Sequence, residues 1–205
     1  MNHSESSQSN PSQGFALITG ASAGLGEEFA KQLAAMGRPL ILVARRLERL
    51  ERIADALRTS HQIEVKTIAA DLSLAGAAEH IASVCTAEGW QVDWLINNAG
   101  IAGPDLLQDR DWPTQQHFFQ LMMLSAADLS HRFVPGMAER GYGRVINVAS
   151  VAARVPRSEG ATTALPRPIW SHCLKSSTSP LLPRESTFQH CARALPTPTS
   201  TKPPD

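Results

Sequence analysis

The eight residues Thr19-Gly20-Ala21-Ser22-Ala23-Gly24-Leu25-Gly26 constrain this chain more than any other stretch. They separate an uninterrupted apolar run, Phe15-Ala16-Leu17-Ile18, from a segment in which Leu25, Phe29, Leu33 and Met36 recur at helical spacing. The first pattern predicts a strand buried on both faces. The second predicts an amphipathic helix from Gly24 to Gly37, with Glu27 and Glu28 where the helix dipole favours acids. A strand, a glycine turn and a helix N-terminus together form a pyrophosphate site, because unpaired N–H groups face the ligand and glycines let the backbone come close. A glycine turn before a helix also occurs as a mere tight connection, but a place inside a strand–helix–strand unit favours the ligand site.

Leu40-Ile41-Leu42-Val43-Ala44 reads as a second buried strand, followed directly by Arg45-Arg46. In a dinucleotide fold an acid at this junction binds the ribose hydroxyls, whereas arginine accommodates a 2′-phosphate. No acid lies between Gly37 and Leu47, so NADP(H) is expected rather than NAD. Arg45 and Arg46 also suit the start of a charged helix whose Leu47, Leu50, Ile53 and Leu57 face inward. Val65-Lys66-Thr67-Ile68-Ala69-Ala70 reads as a third strand, running into Asp71-Leu72 ahead of a helix near residues 76–88. Asp71 also fits a cap or turn. Val92-Asp93-Trp94-Leu95-Ile96 is a fourth strand, ending in Asn97-Asn98-Ala99-Gly100. A long helical pattern between Trp112 and Met137 carries Phe118, Leu121, Leu124, Leu129 and Phe133, and Gly143 to Ser150 reads as a fifth strand. This alternation predicts a Rossmann-type α/β fold, a doubly wound parallel sheet with helices on both faces.

The spacing T-G-x-x-x-G-x-G, the tetrapeptide N-N-A-G about 70 residues later and the strand ending on Ser150 stand in the order that resembles the short-chain dehydrogenase/reductase family. The resemblance covers residues 15 to about 160. It implies reversible hydride transfer between NADP(H) and a carbonyl or alcohol carbon of a small-molecule substrate. Gly20, Ser22, Gly24, Leu25 and Gly26 would hold the pyrophosphate, and Arg45 and Arg46 the 2′-phosphate. Asp71 and Leu72 would flank the adenine, while Asn98, Ala99 and Gly100 would line the cleft. Ser150 occupies the place of the serine that orients the substrate carbonyl. The family holds a relay water with an asparagine on the long helix; its place falls on Met122, which reads instead as a packing residue. Members are usually dimers or tetramers, so a homo-oligomer is possible on this resemblance.

The family next requires Tyr-x-x-x-Lys, and those positions are Thr163 and Arg167. The tyrosine is the general acid, brought toward working pH by the lysine ammonium; threonine cannot take that role. Tyr142 lies ahead of the fifth strand and is a poor substitute. Impaired turnover follows, with a catalytically inactive NADP-binding remnant or pseudogene product as the alternative. Composition changes at the same place: Pro166, Pro168, Pro180, Pro183, Pro196, Pro198, Pro203 and Pro204 stand among many serines and threonines, and neither period persists. The expected organisation is therefore a disordered leader at 1–13, an NADP-binding domain at 14–160 and a disordered tail at 161–205, with the C-terminal strands missing. Read two bases out of frame, codons for Leu181 to Thr201 can encode a β-rich run followed by Pro-Gly-x-Thr, an element of the same family, so a frameshift near residues 161–165 is a further expectation.

With 19 basic and 19 acidic residues among 205, no nucleic-acid or membrane-surface partner is expected. Cys85, Cys173 and Cys191 form no motif, and the polar first thirteen residues lack a signal-peptide core, which favours the cytoplasm. His172-Cys173 and His190-Cys191 are adjacent pairs without the spacing of structural zinc ligands, so no metal site is expected.

Overall fold

The computed structural model describes residues 14–103, 110–150 and 189–193. The leader at 1–13, the positions Thr163 and Arg167, and His172-Cys173 lie outside the described residues, as does the tail at 161–205 apart from 189–193.

Strands β1 (Phe15–Thr19), β2 (Leu40–Ala44), β3 (Val65–Ala69), β4 (Val92–Asn97) and β5 (Arg144–Ser150) alternate with helices α1 (Gly24–Ala35), α2 (Leu47–His61), α3 (Ala77–Ala87), α4 (Trp112–Phe119) and α5 (Ser125–Glu139). The strands form one parallel sheet in the order β3-β2-β1-β4-β5, with β6 (Gln189–Arg193) beyond β5. This is the doubly wound arrangement expected, and the order reverses between β1 and β4. A crevice opens at such a point because the connections leave β1 toward opposite faces.

The apolar strands are buried on both faces. Ala16, Ile18, Leu40, Leu42 and Ile96 pack under Ala30, Leu33 and Ala34 of α1 and Leu50, Ala54 and Leu57 of α2. Alternate residues Leu17, Ile41, Val43 and Leu95 face Ala78 and Ile81 of α3 and Leu129 and Met137 of α5. Leu47, expected to face inward, lies outside, as do Met36 and Leu124 of the other two helical patterns. Met36 is 64% exposed because α1 has ended before it, and Leu47 is 47% exposed at the first turn of α2. Leu124 is 54% exposed: two steps of three residues from Phe118 fall short of two helical turns, so it leaves the inward face.

Two features exceed the sequence patterns. A π turn, Gln120–Leu124, joins α4 to α5 and shifts the inward face by a residue, burying Met122. The sheet is also one strand longer than the apolar periods predict. In β6, Gln189 pairs with Ile146 and Arg193 with Ser150. Backbone groups make that ladder, and Gln189–Arg193 falls in a proline-free window between Pro183 and Pro196, where every N–H can donate.

Candidate functional site

The cleft at the switch point is built by a latch between two chain segments 79 residues apart. At the end of β1, the Thr19 hydroxyl donates to the Ile96 carbonyl at 3.2 Å and accepts from the Asn98 and Ala99 amides, each at 3.0 Å. The Asn98 carboxamide returns two bonds, to the Thr19 carbonyl at 2.9 Å and the Gly20 carbonyl at 3.3 Å. These bonds hold the glycine turn against the end of β4. Two glycines are required by the closeness that results. A Cβ on Gly20, whose φ is +65°, would lie 2.9 Å from the Ala99 Cα. One on Gly26 would lie 2.6 Å from the Asn98 side-chain Nδ2 and closer still to the Gly20 carbonyl oxygen.

Above the latch is a cleft of about 240 Å³, lined by Gly20, Ser22, Gly24 and Leu25 at the head of α1, Arg45 and Arg46 after β2, Asp71 and Leu72 after β3, and Asn98, Ala99 and Gly100 after β4. The expected cofactor residues thus converge, with one exception in position. Gly26 sits beneath the floor, where its missing side chain lets α1 approach the Gly20 carbonyl and Asn98. Partial burial would raise the Asp71 carboxyl, but bonds from the Ser73 hydroxyl at 2.7 Å and amide at 3.0 Å, with the charges of Arg45 and His117, outweigh it and hold it below the ordinary range. Asp71 therefore stays ionised at neutral pH. Its Asx turn onto Ser73 meets the turn reading and not the cap, since Gly76 is the N-cap of α3.

A smaller hollow continues from the cleft, bounded by Thr19, Asn97, Met122, Ser125 and Asn147. Asn97 donates to the Asn147 side chain at 2.8 Å and to the Ser130 hydroxyl at 3.3 Å, joining β4, β5 and α5 beneath it. Ser150 is the last residue of β5, at the same end of the sheet. Sequence reasoning missed Thr19 and the Asn97–Asn147 bridge as positioning residues. The available signal was polar residues at the ends of otherwise apolar strands, where a buried amide requires a partner.

Tyr142 stands at the opposite end of the sheet. Its hydroxyl accepts from the Trp94 indole at 3.2 Å and from Arg38 at 3.4 Å, so it is remote from the cleft and committed to packing. Among the described residues no group of three or more His, Cys, Asp and Glu is placed to hold a metal, and no helix is long and apolar enough to cross a membrane.

A profile described as short chain dehydrogenase matches residues 14–162. The chain belongs to the short-chain dehydrogenase family. Within that family it is 39% identical over 153 residues to an uncharacterized oxidoreductase of Mycobacterium bovis, an alignment covering 69% of this chain and 43% of that protein. It is 31% identical over 177 residues to a very-long-chain 3-oxoacyl-CoA reductase of Aspergillus fumigatus, covering 83% of this chain and 51% of that one. The chain thus spans about half the length of these relatives. A metagenomic short-chain oxidoreductase solved in complex with NADP superposes with a TM-score of 0.78 at 26% identity, covering 89% of this chain and 83% of that chain.

Proposed function

We propose that this short-chain dehydrogenase binds NADP(H) in the cleft between β1 and β4, as an oxidoreductase acting on a small carbonyl or alcohol compound, with turnover impaired in the chain as read. The observation that carries the cofactor reading is the latched glycine floor beside two exposed arginines. The latch holds the Gly20 turn and the head of α1 at the edge of the cleft, where a helix N-terminus suits a pyrophosphate. Arg45 and Arg46 stand where β2 ends, with no acid on that junction to bind free ribose hydroxyls. The solved relative in complex with NADP supports the same choice.

The residues fit the group, which when bound supplies the hydride. The amides at the head of α1 and the Ser22 hydroxyl would bind the pyrophosphate, and Arg45 and Arg46 the 2′-phosphate. Asp71 and Leu72 would enclose the adenine; Asn98, Ala99 and Gly100 would give backbone contact along the cleft. Ser150 would orient a substrate oxygen as hydrogen-bond donor. No tyrosine follows it, and Met122 stands at the place where the family uses an asparagine. Loss of one positioned general acid costs about 10²- to 10⁴-fold in rate, or roughly 3 to 5 kcal/mol of barrier. Those same absences favour the second reading, a cofactor-binding remnant without activity. A cytoplasmic location and self-association belong to the same proposal.

Fluorescence titration separates these readings. NADPH should saturate the full chain more tightly than NADH, and the double variant Arg45→Ala/Arg46→Ala should lose about tenfold or more for NADPH, roughly 1.4 kcal/mol or above, with NADH little changed. Equal losses for both would remove the arginines from the 2′-phosphate. Slow NADPH oxidation with a carbonyl panel, abolished by Ser150→Ala, marks the impaired enzyme; saturable binding without oxidation marks the remnant.

A further inference from the structure

Helix α2 begins among arginines, with Glu48 the acid of its first turn. The partial positive charge at a helix N-terminus favours acids, yet Arg46 is the N-cap, Arg45 precedes it, and Arg49 and Arg52 follow at successive turns. Arg46, Arg49 and Arg52, with Leu47 and Glu48, line one open groove, and Arg46 also lines the cofactor cleft. Their spacing along the axis is about 4.5 Å per step of three residues, so the strip leads outward from the cleft along α2.

The neighbouring acids are engaged mainly by other cations, and one of them reaches Arg49. Glu27 pairs with Lys31 at 2.9 Å and reaches Arg49 at 4.0 Å; Glu51 and Asp55 pair with Arg58. Among the described residues no carboxylate lies within ion-pair distance of Arg46 or Arg52, and Glu48 is the remaining acid on the groove. With three arginines and one acid on its lining, the groove mouth keeps a positive surplus.

We infer that Arg46, Arg49 and Arg52 form an electrostatic approach path that captures the phosphorylated cofactor, so that part of the discrimination between NADPH and NADH resides in the association rate. The inference rests on the cofactor reading above. Arg46 touches the bound ligand; Arg49 and Arg52 act before binding, through the field they place outside the cleft. A cationic groove raises the local concentration of an anion and the rate of productive encounter. The additional phosphate makes NADPH more responsive to that field than NADH. Once the ligand is seated, the half-buried Arg49 and the exposed Arg52 further along α2 contribute little to its escape.

The test is stopped-flow binding of NADPH and of NADH to the full chain, wild type against Arg52→Gln and Arg52→Glu. Arg52 is exposed, and unchanged urea midpoints verify that the variants fold. At low salt the NADPH association rate should fall about 2- to 3-fold in Arg52→Gln and about 5- to 10-fold in Arg52→Glu, with a smaller fall for NADH and the dissociation rates unchanged. Near 1 M salt, where the screening length is about 3 Å, the variants and wild type should coincide. A rise in the dissociation rate, an equal effect on both cofactors, or no change at low salt overturns the inference while leaving the cleft intact. Failure of the wild-type chain to bind NADPH at all would overturn the cofactor reading itself, and this inference with it.

Discussion

At the N-terminal ends of β1, β4 and β5 charged side chains are spent on internal bonds, whereas at the C-terminal ends of the same sheet they face an open cleft. Asp93, 4% exposed, accepts from the Gly14 amide at 2.9 Å, Gln91 at 3.0 Å and Arg140 at 3.2 Å. Arg38, also 4% exposed, donates to the Gly14 carbonyl, and its guanidinium and that of Arg144 each lie 4.6 Å from the Trp94 ring centre. At the other rim Arg45, Arg46 and Asp71 line the cleft. One sheet thus assigns stability and ligand contact to opposite rims, since a buried charge is tolerated only when bonded and a binding charge is useful only when left accessible.

The contrast breaks most severely at the cleft floor. Gly26→Val should abolish saturable NADPH binding, a loss of more than about a hundredfold in affinity (roughly 2.7 kcal/mol). It should also lower stability by about 3 kcal/mol through overpacking against Asn98 and the Gly20 carbonyl. Paired fluorescence and urea titrations read both effects, and wild-type binding in this variant would sink the latch as the organiser of the site. The opposite rim should separate the two quantities. Asp93→Ala leaves the buried Gly14 amide without its acceptor and removes one acceptor from Arg140, costing about 2 to 3 kcal/mol in urea unfolding. NADPH affinity per folded molecule should stay within about twofold, a free-energy change below about 0.5 kcal/mol; a matched drop would show that the rims are coupled.

The smallest effect concerns pH. Asp71 is held below the ordinary carboxylate range, so its ionised contribution is present above the unfolded value and lost as pH falls through the lower folded value. Ser73→Ala removes the hydroxyl donor, so the carboxyl should titrate at higher pH and the acid limb of NADPH binding should shift upward with it. Carbon-detected NMR titration of Asp71 checks the first; binding measured through the acid range checks the second. An unmoved titration would mean that Arg45 and His117, not Ser73, set the shift.

Much of this was legible because the strands are apolar on both faces and punctuated by glycine or asparagine, signals that survive without tertiary context. Arg45, Arg46, Asp71 and Asn98 could be placed because each follows a strand directly, and strand ends converge in a parallel sheet. Leu47, expected inward, is exposed, and so are Met36 and Leu124, because an apolar residue at a helix end, or one step off its face, satisfies a period without reaching the core. The π turn left no signal, since Gln120–Leu124 contains neither proline nor glycine. The pairing of β6 depends on backbone hydrogen bonds to β5, which side-chain patterns do not encode. The Thr19 latch required knowing that residues 79 positions apart adjoin.

The one tyrosine of the chain is bonded to the Trp94 indole. Light absorbed by that phenol passes to its tryptophan neighbour for as long as β4 and the turn before β5 stay together. Opening of that rim would separate the phenol from the indole, so the energy passed from the single tyrosine to Trp94 gauges whether the closed end stays closed.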